Sequence, residues 1–116
     1  MFRVTITEAD HELTKRERVI YADTSDAKRL DELTQEGPYV VHVTGWAKLE
    51  VTNDEKTYNN FVLMDGETKI VTGSENFWRS FLAIAEQMEG EDYSIKCYRR
   101  PSKNYSGKSF LTCSLI

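Results

Sequence analysis

The chain is poor in the residues that define several protein classes. It has two cysteines and two prolines in 116 residues. Cys97 and Cys113 form neither a CxxC motif nor a metal-ligand spacing, which argues against a disulfide-rich scaffold and a zinc site. No apolar run reaches the roughly 18 residues of a membrane span, and Arg3 and Glu8 interrupt any signal-peptide pattern. We therefore expect a soluble, cytoplasmic protein whose two cysteines are reduced core thiols.

Basic charge is scarce in the chain as a whole but not at its C-terminus. The net charge is −4, from 15 bases and 19 acids. Residues 92–116 contain five of those bases and a single acid, Asp92, so this segment carries +4 and the first 91 residues carry −8. This uneven charge favours a local basic surface on an otherwise acidic protein. It argues against nucleic-acid binding over the whole protein surface. A solvated hairpin with basic residues for solubility remains the alternative.

The C-terminal residues have the pattern of two strands joined by a basic loop. Residues 93–99 and 110–116 both alternate apolar and polar side chains, which predicts one buried face per strand. The predicted inner face consists of Ile95, Cys97, Leu111, Cys113 and Leu115. The predicted outer face carries Lys96, Tyr98, Phe110, Thr112 and Ser114, with Arg100, Lys103, Tyr105 and Lys108 in or beside the loop. Rings that stack on bases and cations that meet phosphates suit a surface for single-stranded nucleic acid.

The middle of the chain predicts a three-strand meander. In the strand at 39–51, the alternation assigns Val41, Val43, Ala47, Leu49 and Val51 to one face. It assigns His42, Thr44, Trp46, Lys48 and Glu50 to the other. Gly45 in mid-strand predicts a bulge or bend. Strands at 58–64 and 69–72 follow, joined by a turn at Asp65-Gly66.

A helix is predicted after the meander, with Ser74 as its N-cap and Gly90 beyond its end. Phe77, Phe81, Ile84 and Met88 recur at helical spacing. We interpret this stripe as core, because an amphipathic helix must bury its apolar face. Trp78 lies at the edge of the stripe, in a position to plug one end of a barrel.

The first 37 residues give mixed signals. Alternation of Phe2, Val4 and Ile6 predicts a short strand. Thr14 and Glu17 have the spacing of a capping box, although the β-forming residues that follow them oppose a helix. A second short helix is predicted over residues 27–34, capped by Ser25 or Asp26.

The element order predicts a mainly β, five-stranded OB-fold barrel with one α-helix between strands 3 and 4. It forms a single domain spanning residues 1–116, in which residues 1–37 are a β and short-helix extension and residues 38–116 form the barrel.

Short segments near both ends of the chain are similar to those of a known protein family. Residues 101–113 read PSKNYSGKSFLTC, and ITEA at 6–9 and LTKRE at 13–17 are further short matches. In these segments the chain resembles the small single-stranded DNA-binding proteins encoded by bacteriophages and prophages of Gram-positive bacteria. The resemblance implies an OB-fold, no cofactor, and protection of single strands during phage replication or recombination in the bacterial cytoplasm. No acidic tail follows Ile116, so recruitment of partners through such a tail is not expected.

The sequence offers little support for catalysis. Asp65, Glu67 and Lys69 include the E-x-K of a nuclease metal site, but a hairpin turn explains the same residues. His11 and His42 offer no triad with the inward cysteines. No enzyme activity and no metal are predicted.

The sequence therefore predicts sequence-tolerant binding of single-stranded DNA. Candidate stacking residues are Trp46, Tyr58, Tyr98, Tyr105 and Phe110. Candidate phosphate contacts are Lys48, Lys96, Arg99, Arg100, Lys103 and Lys108. Cross-strand packing is the competing interpretation for Tyr58 and Phe110. A non-enzymatic protein-interaction module using the same face is the alternative function. RNA binding, homo-oligomerisation and contacts with phage or host replication and recombination proteins stay open.

Overall fold

In a computed structural model of the chain, residues 3–101 and 108–116 are described. They form eight strands and three helices. The strands are β1 (Arg3–Ala9), β2 (Lys28–Arg29), β3 (Tyr39–Val43), β4 (Gly45–Thr52), β5 (Thr57–Asp65), β6 (Thr68–Thr72), β7 (Tyr93–Pro101) and β8 (Ser109–Leu115). The helices are α1 (Lys15–Ala22), α2 (Leu30–Leu33) and α3 (Glu75–Gln87). The mainly β class predicted from the sequence is confirmed.

The strands form two sheets within these residues. One has the order β1-β4-β5-β6-β2, and the other has the order β3-β7-β8. All pairs are antiparallel except β2 with β6. The meander, the helix and the C-terminal strand pair occur in the predicted order. In the described part of the chain, however, the two sheets do not close into a barrel.

The predicted bend lies at Thr44, between β3 and β4. Both the backbone N–H and the hydroxyl of Thr44 donate to the Met64 carbonyl, at 2.8 and 3.1 Å. Its hydroxyl also accepts a hydrogen bond from the Gly66 N–H at 3.0 Å. One side chain therefore ties the bend to the β5–β6 turn.

The side chains before and after the bend pack in different cores. Val41 and Val43 pack in the core beneath α3, whereas Ala47 and Leu49 pack on the opposite side of the sheet. The prediction that these residues share one face was wrong. At Thr44 the chain passes from the three-stranded to the five-stranded sheet, and after this bend the odd-numbered side chains pack in the other core.

Glycine is required at position 45 because of a close approach. A Cβ built there would collide with the hydroxyl of Tyr21, which is buried. Tyr21 belongs to the second core, together with Leu13 and Leu49. The bend in the long strand and the docking of α1 therefore depend on the same contact.

The larger core lies beneath α3. The Ser74 hydroxyl caps this helix by accepting from the Phe77 N–H at 3.1 Å, as the sequence predicted. Phe77 and Phe81 are fully buried, which confirms the interpretation of the stripe as core. Trp78, predicted as a plug, is also buried and stacks on Phe61 with ring centroids 4.6 Å apart.

The N-terminal segment covers the opposite face of the five-stranded sheet. The predicted capping box is present: the Thr14 hydroxyl accepts from the Glu17 N–H at 3.1 Å, and the Glu17 carboxylate accepts from the Thr14 N–H at 3.0 Å. These bonds prevail over the β propensity of Val19 and Ile20, which are exposed on α1.

The second predicted helix is shorter than expected. Only Leu30–Leu33 is helical, and its N-cap is Arg29 rather than Ser25 or Asp26. Lys28 and Arg29 instead pair with β6 as a two-residue parallel strand, and this pairing takes up the first turn of the expected helix. Among the described residues, no helix is both long and apolar enough to cross a membrane.

Candidate nucleic-acid interface

One face of the three-stranded sheet carries exposed side chains on β3 and β7, while α3 reaches the same face at β8. On β7, Ile95 and Cys97 are fully buried, so the alternating Lys96 and Arg100 point to the opposite side, where both are exposed. Residues directly opposite in an antiparallel pair share a face, and the register extends this side onto β3 and β8. We call this side the outer face; it consists of Val40, His42, Ser94, Lys96, Tyr98, Arg100, Phe110, Thr112 and Ser114.

Tyr98 is fixed at the centre of the outer face. Its hydroxyl and the Ser114 hydroxyl are 2.8 Å apart and hydrogen-bonded across the strands. The Lys96 ammonium lies 5.3 Å from the centroid of the Tyr98 ring, within the range of a cation–π contact. The ring is half-buried. Its position is therefore held from two sides, and a cation accompanies it.

Arg100 and Phe110 form the second ring-and-cation pair of the outer face. They are directly opposite each other in the β7–β8 register, which places their Cβ atoms about 5 Å apart. Arg100 is exposed and Phe110 is half-buried. A nucleotide could meet a guanidinium and an aromatic ring at this pair without movement of the backbone.

Arg99 points away from the outer face. Its guanidinium donates to the backbone carbonyl of Asp31 at 2.7 Å. This contact joins β7 to the short helix α2 across 68 residues of sequence. The side chain has a role in holding the fold, and it is not grouped with Lys96 and Arg100.

Three further predicted residues lie on the five-stranded sheet. Trp46 packs edge-on against Trp78 and Phe81, with centroids 5.5 and 6.0 Å away. Lys48 is half-buried opposite Phe61. Tyr58 is 39% exposed, with the Lys56 ammonium 5.7 Å from its ring, at the end of β5 near the polar turn. None of the three shares the outer face.

The remaining predicted residues belong to the hairpin end. Lys108 is exposed and directly precedes β8, whose first residue pairs with Pro101. Lys103 and Tyr105 lie outside the described residues.

Two side chains of the outer face were not predicted as site residues. Val40 is 54% exposed and lies opposite Lys96. His42 is 3.0 Å from the Asp92 carboxylate, while its backbone N–H donates to Asp65 at 3.2 Å. The alternation of the long strand had placed His42 on a polar face, but only the pairing of β3 with β7 brings it beside the cations.

The register of β8 agrees with its predicted faces, but the burial of two residues differs from the expectation. Leu115, expected inside, is 47% exposed, because it lies in the last pair of the ladder, where the core ends. Thr112, expected outside, is buried, because its hydroxyl donates to the Ser80 hydroxyl of α3 at 3.0 Å. Helix α3 therefore covers part of β8 and limits the outer face on that side.

The predicted core thiols lie behind the outer face. Cys97 and Cys113 are directly opposite each other, and both are free and buried. Burial raises the pKa of each thiol to about 12. Both therefore stay protonated at neutral pH.

The E-x-K segment is engaged in structural contacts. Lys69 is buried, and its ammonium donates to the Asp23 carbonyl and to the Asp26 carboxylate at 3.2 Å. Asp65 accepts the backbone N–H of His42. In residues 3–101 and 108–116, no group of three or more His, Cys, Asp or Glu side chains is arranged to hold a metal ion.

Comparison of the chain with protein-family models, curated proteins and solved structures returns no match. The outer face and the sequence pattern are therefore the basis for a functional proposal.

Proposed function

We propose that the outer face binds single-stranded DNA with little regard to sequence. The observation that carries the proposal is the placement of Lys96, Tyr98, Arg100 and Phe110 on one side of a sheet, with both cations exposed. Two aromatic rings alternate there with two cations over adjacent strands. A flat surface with both kinds of group can contact bases and phosphates at the same time.

The free energies expected from base stacking and phosphate contacts are large enough to give measurable binding. Stacking of a base on an aromatic ring contributes roughly 1–3 kcal/mol, and every base has a π-face, so the contact tolerates any sequence. Each cation that neutralises a phosphate releases counterions, and the affinity falls as salt rises. Two rings and two or three cations are enough for a modest affinity that depends strongly on salt.

The finer features of the proposal come from the sequence. The order predicted from the sequence, three strands, a helix and two strands, is that of an OB-fold, and the terminal segments resemble single-stranded DNA-binding proteins of phages and prophages. We accordingly propose an OB-related binder that protects single strands during phage replication or recombination, without catalysis and without a cofactor.

The test is a titration of labelled oligo-dT, followed by fluorescence anisotropy at about 50 and about 200 mM salt. We expect saturable binding that weakens at the higher salt. Lys96→Ala combined with Arg100→Ala removes two phosphate contacts, which lowers the slope of log affinity against log salt by about 1.4 for a single strand. The proposal is wrong if the wild-type protein does not bind oligo-dT at micromolar concentration.

A matched control removes the same charge from elsewhere. Arg18 and Arg79 are exposed on α1 and α3, off the outer face. Arg18→Ala combined with Arg79→Ala changes the net charge equally and should leave the salt slope close to that of the wild type. Equal losses in both double variants would mean that overall charge, and not the outer face, governs binding.

A protein-interaction module is the second candidate function. It is favoured by the exposed apolar side chain of Val40 at 54% beside the aromatic rings, since interfaces combine such groups. Val40→Asp should abolish docking of a protein partner but weaken oligonucleotide binding only slightly. Parallel titrations with oligo-dT and oligo-rU then separate DNA binding from RNA binding.

A further inference from the structure

A groove of about 520 Å³ opens at the Tyr93 end of β7. It lies between the C-terminal end of α3, the end of β1 and the β3–β4 bend, and its floor includes Trp46, Leu82 and Tyr93. Its rim carries six acidic residues: Glu8, Asp10, Glu86, Glu89, Glu91 and Asp92. The described residues that line it include no Lys, Arg or His. We call it the acidic groove.

Two acids of the groove are placed unfavourably for the stability of α3. Glu86 lies in the last turn of α3 and Glu89 just beyond it, and that turn contains no basic residue. The C-terminus of a helix is the negative end of its dipole, where cations are the stabilising choice. Carboxylates placed against this preference raise the negative potential of the groove at some cost in stability.

Most of the rim carboxylates have no internal counter-charge. Asp10 accepts the Trp46 N–H and contacts His11, and Asp92 contacts His42. The four glutamates form no ion pair and no side-chain hydrogen bond with another described residue. An apolar floor beneath unpaired carboxylates fits a ligand with cationic heads and apolar or aromatic parts.

The chain itself carries such a surface at the other end of the same strand. Arg100 is seven residues along β7 from Tyr93, or about 23 Å at the usual rise of a strand. It lies opposite Phe110, and Lys108 directly precedes β8. We call Arg100, Lys108 and Phe110 the cationic end. Carboxylates therefore surround the Tyr93 end of β7, and two cations with an aromatic ring lie near its Pro101 end.

We propose that the cationic end of one copy docks in the acidic groove of a second copy. Two different patches meet, so the contact is heterologous and repeats head to tail rather than closing as a symmetric dimer. Its strength should fall with salt, because charge attraction supplies most of it. The proposal requires no DNA and stands independently of the proposed function.

The two proposals together predict competition. The cationic end cannot lie in a neighbour's groove and on a phosphate backbone at the same time. Oligo-dT should therefore release single copies from the assembly. Assembly that persists unchanged on saturated oligonucleotide would contradict the shared use of Arg100.

The first test is the mass of the protein in solution without DNA. Sedimentation velocity at low ionic strength should show an average mass that rises above 13.4 kDa with concentration and returns to 13.4 kDa in high salt. A constant 13.4 kDa at every concentration in low salt would overturn the proposal.

Two complementary variants test the direction of the contact. The groove variant is Glu86→Gln with Glu89→Gln, and the end variant is Arg100→Gln with Lys108→Gln. Each should self-associate about tenfold or more weakly than the wild type, which corresponds to about 1.4 kcal/mol. An equal mixture should form dimers and nothing larger, because only one functional joint remains per pair.

Control variants remove acidic charges that lie outside the acidic groove. Glu36 and Glu67 are exposed acids outside the groove, so Glu36→Gln with Glu67→Gln should self-associate like the wild type. All substitutions are on exposed side chains, and circular dichroism checks the fold of each variant. Dimers formed by either variant alone would indicate a symmetric contact and reject the head-to-tail arrangement.

The same variants separate this proposal from the DNA proposal. The groove variant should keep the oligo-dT affinity of the wild type, whereas the end variant should lose affinity and assembly together. Assembly without any oligonucleotide binding would reject the proposed function alone. Oligonucleotide binding by a protein that never assembles would reject the head-to-tail contact alone.

Discussion

The two sheets differ in how many of their faces are covered. The five-stranded sheet is covered on both: Phe61 and Ile70 face the core beneath α3, and Leu49 faces Leu13 and Tyr21 of the N-terminal segment. The three-stranded sheet buries the face that carries Ile95 and Cys97, whereas its outer face is exposed at Lys96 and Arg100 and is covered by α3 at Thr112. The N-terminal segment thus decides where a binding surface can exist.

Two aromatic residues show the effect of this difference. Trp46 and Tyr98 are both half-buried on polar-facing positions of their strands. Trp46 packs against Trp78 and Phe81 beneath the helix, whereas Tyr98 contacts Lys96 and Ser114 of its own sheet. Residue type alone does not distinguish a stacking platform from a packing residue.

The largest expected effect is a loss of stability at the bend that joins the two sheets. Gly45→Ala forces a methyl group into the Tyr21 hydroxyl, and we expect a loss of about 3 kcal/mol in the free energy of unfolding. Urea denaturation measures it. Tyr21→Phe removes the colliding oxygen, so the double variant should recover part of the loss.

Gly73→Ala is the control for this prediction. A Cβ at Gly73 has its nearest neighbour at 3.7 Å, an ordinary contact distance. We expect little change in stability or a small gain. A loss equal to that of Gly45→Ala would show that the Tyr21 contact is not the cause.

The next effect compares aromatic rings of the two sheets. Phe110→Leu keeps an apolar side chain on the outer face but removes the π-face, so oligo-dT affinity should fall by about 2 kcal/mol. Phe110→Tyr should retain it. Tyr58→Leu, on the five-stranded sheet, should leave affinity unchanged; an equal loss there would move the binding surface to both sheets.

A smaller effect concerns the fixed position of Tyr98. Tyr98→Phe removes the hydrogen bond to Ser114 and should cost about 1 kcal/mol in the free energy of unfolding, while the ring remains for stacking. Ser114→Ala should cost a similar amount. In a double-mutant cycle by urea denaturation, the two losses should not add, because both report the same bond.

The smallest effect is a pH dependence of the N-terminal segment. Hydrogen bonds to Glu17 and Asp10 raise the pKa of His11 above 6.5, and bonds from Thr14 and His11 lower the pKa of Glu17 below 4.5. The charged pair therefore stabilises the fold most between pH 4.5 and 6.5. Its contribution disappears as pH rises through the raised pKa of His11 or falls through the lowered pKa of Glu17.

His11→Ala tests this dependence. Thermal denaturation should show the largest gap between wild type and variant inside that pH window, and a smaller gap well above it. A gap that is constant with pH would mean that the His11 side chain acts only through packing. The exposed position of the pair keeps the effect small.

Local patterns were enough to predict the local elements. The capping box at Thr14 and the N-cap at Ser74 each depend on residues three positions apart, and both are present. The alternation of β7 correctly separated buried Cys97 from exposed Lys96. These signals lie within a few residues, where propensity and pattern act directly.

The unpredicted features depend on contacts between distant residues. The exchange of faces at Thr44 follows from the passage of the chain between the two sheets, and alternation gives no sign of it. The bond of Arg99 to Asp31 spans 68 residues, and the packing of Trp46 depends on where α3 docks. Residue types therefore indicated an aromatic and basic surface, while tertiary contacts selected which of the candidates share it.

The buried thiols provide a reporter of motion in the C-terminal ribbon. Cys97 and Cys113 face each other on the buried side of the sheet, between the pairs that contain Lys96 and Tyr98. Because alkylating reagents react with the thiolate, modification at neutral pH must wait until the two strands separate and the sulfurs reach water. The rate of alkylation thus measures how often this ribbon opens, and a strand of nucleic acid lying across its other side would slow that rate without touching either sulfur.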